Sequence, residues 1–267
     1  MAKVLVVTSG KGGVGKTTST AALGAALAQL GKSVAVVDFD VGLRNLDLVM
    51  GAERRVVFDL INVVHGVAKL QQALIRDRRL ENLWLLPASQ TDDKESVTPA
   101  DMRKLVGELK AVYDYVMIDC PAGIEQGFKN AIAGADEAVV VATPEVSSIR
   151  DADRVVGLLA AQDIPTRLIV NRISAQMVKK GDMLSQADVI EILALELLGA
   201  VPLDEHVVAS TNKGMPAVLE GKSSAAREFA RIARRVIGLD TDAERETGGG
   251  WFSRIGRALG FSSATAA

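Results

Sequence analysis

Two lysines lie five residues apart in the stretch "TSGKGGVGKTTST", Thr8 to Thr20: Lys11 and Lys16. Gly10, Gly15, Lys16 and Thr17 satisfy the spacing G-x-x-x-x-G-K-[ST] of a phosphate-binding loop. Each residue type has a task in that chemistry. Backbone N–H groups from Lys11 through Gly12, Gly13, Val14, Gly15, Lys16, Thr17 and Thr18, with the positive end of the following helix, cradle phosphate oxygens. The Lys16 ammonium neutralises charge on the β/γ oxygens, and the Thr17 hydroxyl ligates magnesium. Gly10, Gly12 and Gly15 also fit G-x-G-x-x-G, and Asp38 imitates the ribose-binding acid of a dinucleotide turn. A dinucleotide uses neither Lys16 nor Thr17, so a nucleoside triphosphate is the expected ligand. The motif does not require Lys11 and leaves its purpose open.

A phosphoryl-transfer site must also hold magnesium and position water. Two acidic places close apolar runs, where ligands sit in open parallel sheets. Asp38 and Asp40 stand in "VVDFDVGLRNLD", and Asp119 ends "YVMID". Taken singly, each acid could also simply cap a turn, the lesser of the two readings. Farther on, "IVNRIS" puts Asn171 and Arg172 behind another apolar run. An amide can pair with the adenine edge and a guanidinium can stack on its ring. His65 and His206 have no partners at metal spacing and read as ordinary surface or core residues.

The elements that must carry these residues are short β-branched runs separated by helical stretches. Strands are expected over 3–8, 33–38, 83–87, 115–119, 137–143, 167–171 and 197–202. Most are solidly apolar, the mark of strands covered on both faces. Helices are expected over 17–31, 147–162 and 226–238. In the second, Ile149, Ala152, Val155, Val156 and Leu159 share one face. Alternating β and α implies an α/β fold, a doubly wound, mostly parallel sheet of seven or eight strands flanked by helices.

The 267 residues suffice for one such domain with a sizeable core. A net charge of -2 gives no global argument for nucleic acid. The single cysteine, Cys120, excludes an internal disulfide framework and a Cys-rich zinc site. No signal peptide is read at the N-terminus, and no run reaches the roughly 18 apolar residues of a spanning helix. The composition changes after residue 238. A polar linker over 239–250, "LDTDAERETGGG", precedes "WFSRIGRALGF" over 251–261 and a last stretch, 262–267, expected to be disordered. On a helical wheel Trp251, Phe252, Ile255, Ala258 and Leu259 fall within an arc of about 120°, with Arg254 and Arg257 flanking it. Such a helix either docks on its own domain or lies in an anionic membrane surface; the glycine-rich linker favours the membrane.

"KGGVGKT", with a lysine at its start, resembles the ParA/MinD family of deviant Walker A ATPases. So do "DFDVGLRNLDLVMG", "ERRVVFDLINV", "LPASQT", "PAGIE", "ADEAVVVATPEVSSIRDADRV" and "KGDML", which extend the resemblance over nearly the whole chain. The resemblance implies an ATPase using ATP and Mg2+ that forms a homodimer around ATP. It makes Lys11 the residue that crosses to the partner's phosphates, beside Lys16 and Asp40 as catalytic groups. It places Asp40 in a first switch orienting water, Asp119 on magnesium through its shell, and "DCPAGIE" in a second switch with Gly123 as its pivot. Thr17, Asp40 and Asp119 then form the metal set, and Asn171, Arg172 and Pro202 frame the adenine. Trp251, Phe252, Arg254, Ile255, Arg257 and Leu259 become the membrane contact. The septum-placing members of that family imply a cytoplasmic protein peripheral on the inner face of the cell membrane. Their partners are a MinC-type division inhibitor and a MinE-type activator or a polar anchor, with no nucleic acid. The alternative within the family is a ParA-type partition ATPase acting on nucleoid DNA.

Overall fold

Every apolar run singled out above forms a strand in the computed structural model, which describes residues 2–91, 96–221 and 223–239. The strands are β1 (Lys3–Thr8), β2 (Val34–Asp38), β3 (Ile75–Arg76), β4 (Leu83–Leu86), β5 (Tyr115–Asp119), β6 (Glu137–Ala142), β7 (Thr166–Ile173) and β8 (Glu196–Pro202). They form one sheet in the order β3-β4-β2-β5-β1-β6-β7-β8. Neighbours run parallel throughout, except the β3–β4 hairpin. β3 was not expected; two residues are too few for a hydrophobic pattern. The expected linker beyond Leu239 and the expected tail from Trp251 onward lie outside the described residues.

The strand sequences are apolar at consecutive positions because both faces of the sheet are covered. In β1, Val4 and Val6 join one core, and Leu5 and Val7 join the other. Helices Pro99–Lys110, Val146–Ala160 and Gln186–Leu193 close the first core. Ile149, Ala152, Val155 and Leu159 are buried there as expected, while Val156 is only partly buried. Helices Lys16–Gln29 and Ser224–Val236 close the second. At roughly 25 cal/mol per Å² of apolar surface, these layers supply the main stabilising term of the fold. The site gains a rigid platform from them.

Register brings distant segments together. Asp38, the last residue of β2, lies opposite Asp119, the last of β5. Val7, next to the end of β1, also lies opposite Asp119. The glycine loop leaves β1 beside both acids. β7 and β8 end on the same side of the sheet and deliver Arg172 and Pro202.

Candidate functional site

The loop after β1 is held open by its glycines. Gly15 is the N-cap of helix Lys16–Gln29 with φ 96°, a left-handed conformation that glycine takes at little cost. A Cβ there would also stand 2.3 Å from Asn171 Nδ2. Gly10 sits so close to helix Val146–Ala160 that a Cβ would lie 2.1 Å from the Asp151 carbonyl carbon. The helix that begins at Lys16 has no side-chain cap and no acidic residue in its first turn. Its first N–H groups and the positive end of its dipole are therefore directed at the loop, an arrangement suited to an anion. Asn171 fastens this loop to the end of β7. Its Nδ2 donates to the Val14 carbonyl at 2.8 Å, and its Oδ1 accepts from the Arg172 N–H at 2.9 Å.

Beneath the loop lie three carboxylates and one ammonium. Lys16 is 8% exposed, and its Nζ stands 3.8 Å from Asp119 Oδ1. The same oxygen accepts from the Thr20 hydroxyl at 3.2 Å. Asp38 accepts from the N–H groups of Asp40 at 2.9 Å and Leu46 at 3.1 Å. Burial, and then the neighbouring Asp119, push the Asp38 carboxyl up to about 8. Burial also raises Asp119, against the opposing pull of the Lys16 ammonium and the Thr17 and Thr20 hydroxyls. Crowded carboxylates away from water resist ionisation unless a cation joins them.

That crowding tests whether magnesium fits. Asp119 Oδ2 is buried with no hydrogen-bond partner among the described residues. Thr17, Asp40 and Asp119 are hard oxygen donors, the type magnesium takes. Among the described residues no group of three or more His, Cys, Asp or Glu side chains could hold a metal ion. The described residues therefore supply no closed cage. Magnesium rarely uses one, keeping several waters and sharing phosphate oxygens instead. The residues present fit the ion in that mode. When bound it would neutralise phosphate charge, with Thr17 as a direct ligand and the acids acting through water.

A cleft of about 880 Å³ opens above these groups. Gly12, Gly13, Gly15, Lys16, Thr17, Thr18 and Asp40 line it, together with Ala122 of the "DCPAGIE" segment. The Gly123 N–H donates to the Ser9 carbonyl at 3.2 Å, tying that segment to the loop. A second hollow of about 420 Å³ shares Gly15, Thr18, Arg172, Thr211 and Asn212 with the first. Asn171, Arg172 and Pro202 all line it, beside Leu203, Val207, Val208 and Phe229. The residues expected at phosphate and at base thus line two adjoining hollows with a shared wall. Arg172 has φ 60°, an uncommon backbone state for a side-chain-bearing residue, and it stands where the two hollows meet.

Two walls went unrecognised in the sequence. One is Leu43, Asn45, Leu48, Val49, Gly51 and Glu53; the other runs from Thr211 to Gly214. The first lies within the family-like stretches "DFDVGLRNLDLVMG" and "ERRVVFDLINV", yet no residue type in either wall points by itself to a site role. The weak signals were Gly42 and Gly51 around "LRNLDLVM" and the turn-forming "KGMP". Cys120 is buried, and burial pushes its thiol up to about 12, which leaves it unreactive.

The two lysines have opposite surroundings. Lys16 points inward, but Lys11 is 44% exposed on the rim. Its Nζ donates to Ser147 Oγ at 3.2 Å and stands 3.9 Å from Glu145 Oε2, at the start of helix Val146–Ala160.

Comparison with known proteins agrees with this geometry. The family profile described as the CobQ/CobB/MinD/ParA nucleotide binding domain matches residues 5–217. The septum site-determining protein MinD of Bacillus subtilis (strain 168) is 51% identical over 241 residues, covering 89% of this chain and 90% of its own. Among solved structures, the MinC:MinD cell division protein complex of Aquifex aeolicus matches at 47% identity and a TM-score of 0.83, covering 90% of this chain and 97% of its own. The septum site-determining protein MinD complexed with Mg-ADP from Pyrococcus horikoshii matches at 32% identity and a TM-score of 0.81, with 90% and 97% covered. By fold, site and relatedness, the chain belongs to the MinD septum site-determining proteins of the CobQ/CobB/MinD/ParA nucleotide-binding family.

Proposed function

We propose that the chain is an Mg2+-dependent ATPase whose two copies close around ATP, each lending Lys11 to the other's phosphates. The observation that carries this reading is the contrast between the lysines. Lys16 is buried against Asp119 and serves its own site, while Lys11 stands exposed on the rim in weak contact with Ser147 and Glu145. Exposed pairs of that kind are worth about 0–1 kcal/mol, so Lys11 leaves its contacts at little cost. A cationic group supplied in trans is a recognised way to stabilise developing charge in phosphoryl transfer. In this reading Asp40, two residues beyond β2 and in the lining of the cleft, orients water, and Thr17 holds the ion. Asn171, Arg172 and Pro202 frame the base; the second Nδ2 hydrogen of Asn171 remains to meet it.

The dimer places the division septum by recruiting a MinC-type inhibitor, in line with the MinC:MinD complex solved for the Aquifex relative. A MinE-type activator or a polar anchor regulates it. No helix among the described residues is long and apolar enough to cross a membrane. Attachment to the inner face of the cell membrane is assigned to the segment 251–261. Two such weak segments on one dimer bind jointly, gaining roughly 10²–10⁴ in avidity, so ATP governs attachment by governing dimerisation. Relatives of the ParA type match at about 20% identity and share the fold alone.

Sedimentation of the Asp40→Ala chain tests the reading. A dimer with ATP and Mg2+ but a monomer with ADP and Mg2+ supports it; a monomer in both overturns it. Co-sedimentation with vesicles containing anionic lipid extends the test: ATP enhances binding of the full chain, and deletion of 251–267 abolishes it.

A further inference from the structure

The β3–β4 hairpin, the antiparallel pair of the sheet, carries a turn with Asp77 and Arg79. Asp77 Oδ1 accepts from the N–H groups of Arg79 at 2.7 Å and Leu80 at 3.1 Å, which fixes the turn. The Arg79 guanidinium grips the same carboxylate with Nε at 3.2 Å and Nη2 at 2.7 Å. Two donors also reach out of the hairpin. Nη2 donates to the Met50 carbonyl at 2.8 Å, and Nη1 donates to the Gly214 carbonyl at 3.0 Å. One side chain therefore joins three segments, reaching 29 residues back to Met50 and 135 residues on to Gly214.

Met50 is buried between the wall residues Val49 and Gly51, and Gly214 is itself a residue of the opposite wall. Gly51 and Gly214 both line the nucleotide cleft. They have φ of 65° and 63°, and their backbones meet so closely that a Cβ on Gly51 would stand 2.6 Å from the Gly214 carbonyl oxygen. Two left-handed glycines in backbone contact leave no side chains to interlock there. The charged fork from outside supplies the missing link. A planar guanidinium can satisfy a carboxylate and two carbonyls at once, because its five donors diverge in a fixed plane. A lysine ammonium, a point charge on a flexible stem, keeps the Asp77 pair but loses that divergence.

We infer that Arg79 is a positioning residue: it clips the two walls together and so sets the width of the cleft where nucleotide binds. The inference rests on reading that cleft as the nucleotide site. The side chain stands behind the walls and touches no reacting atom. Its loss should weaken binding of nucleotide more than it slows the chemical step.

Two variants of the full chain, Arg79→Gln and Arg79→Lys, decide the matter by two measurements. The first is amide hydrogen exchange without nucleotide. In Arg79→Gln, peptides covering 48–53 and 212–216 are expected to exchange at least about tenfold faster, while those from β1 and β5 keep their wild-type rates. The second is ATPase kinetics. KM is expected to rise about tenfold in Arg79→Gln and about threefold in Arg79→Lys, with kcat within about twofold of wild type. Unchanged exchange in both wall segments, or acceleration spread evenly over the sheet, overturns the clip; so does an unchanged KM in both variants. If Arg79→Gln fails to fold, Arg79→Lys carries both tests, its expected local acceleration being about threefold. Failure of the wild-type chain to bind a fluorescent ADP would instead sink the nucleotide reading, and the exchange experiment would still judge the clip.

Discussion

At the end proposed for phosphate, Lys16, Asp38, Asp40 and Asp119 are all buried, whereas at the end proposed for the base Pro202, Leu203, Val207 and Val208 present carbon. The difference is one of stored electrostatic cost. Carboxylates crowded at adjacent strand ends lose water and repel one another, so Asp38 and Asp119 are both driven upward. A ligand bringing magnesium and phosphate returns what desolvation removed. Base-end groups lose little in the ligand-free protein and have correspondingly little to regain. Affinity should therefore be concentrated where the charges lie, with the base end contributing selection and fit.

The strongest challenge to this contrast is Lys16→Ala. It removes the phosphate contact and leaves Asp119 without its ammonium partner, a loss of the kind that costs about 3–5 kcal/mol in buried pairs. Titration with a fluorescent ADP should show affinity at least about 100-fold weaker. Next comes Gly15→Ala, at the junction of the two ends. Its φ of 96° and the 2.3 Å approach to Asn171 Nδ2 make the change destabilising by about 1–3 kcal/mol, read by thermal unfolding. Nucleotide affinity should fall with it, by about tenfold.

Asp204→Asn probes the base end through pH. Partial burial works to raise the Asp204 carboxyl, but N–H groups of Ala225 and His206 and the Ser224 hydroxyl outweigh it and hold it well below the usual range. A lowered folded value contributes stability that is complete above the ordinary carboxylate pKa and disappears as pH falls through the folded one. The variant should be less stable than wild type by about 1 kcal/mol at pH 7, since Asp204 also caps helix Glu205–Asn212. That gap should narrow on acidification below about pH 4, as denaturant titrations at several pH values would reveal. The smallest effect belongs to Leu203→Ala. Leu203 is 60% exposed, so truncation should change stability by less than about 0.5 kcal/mol and ADP affinity by about two- to threefold.

What the sequence disclosed follows the same division. The loop from Gly10 to Thr18 was legible because its chemistry is local: a few residue types at fixed spacing between a strand and a helix. Asp38 and Asp119 were legible because an apolar run that ends in a carboxylate marks a strand end. Asn171 and Arg172 were suggested by their side-chain chemistry behind an apolar run and Pro202 by the family resemblance, but the bond from Asn171 to the Val14 carbonyl spans 157 residues that no pattern connects. The walls and the Arg79 fork were invisible for that reason. Their function lies in the meeting of Met50, Arg79 and Gly214, and none of these residue types announces that meeting by itself. β3 escaped notice through its brevity, yet its turn carries the fork.

Calorimetric titration of the wild-type chain with adenosine, with ADP and Mg2+, and with ADP alone addresses the contrast directly. If the buried charges dominate, ADP with Mg2+ binds at least about 1,000-fold more tightly than adenosine, and leaving out Mg2+ forfeits a large part of that gain. Adenosine binding within about tenfold of Mg-ADP would contradict it, because the base end would then supply the affinity assigned to Lys16, Thr17 and the acids.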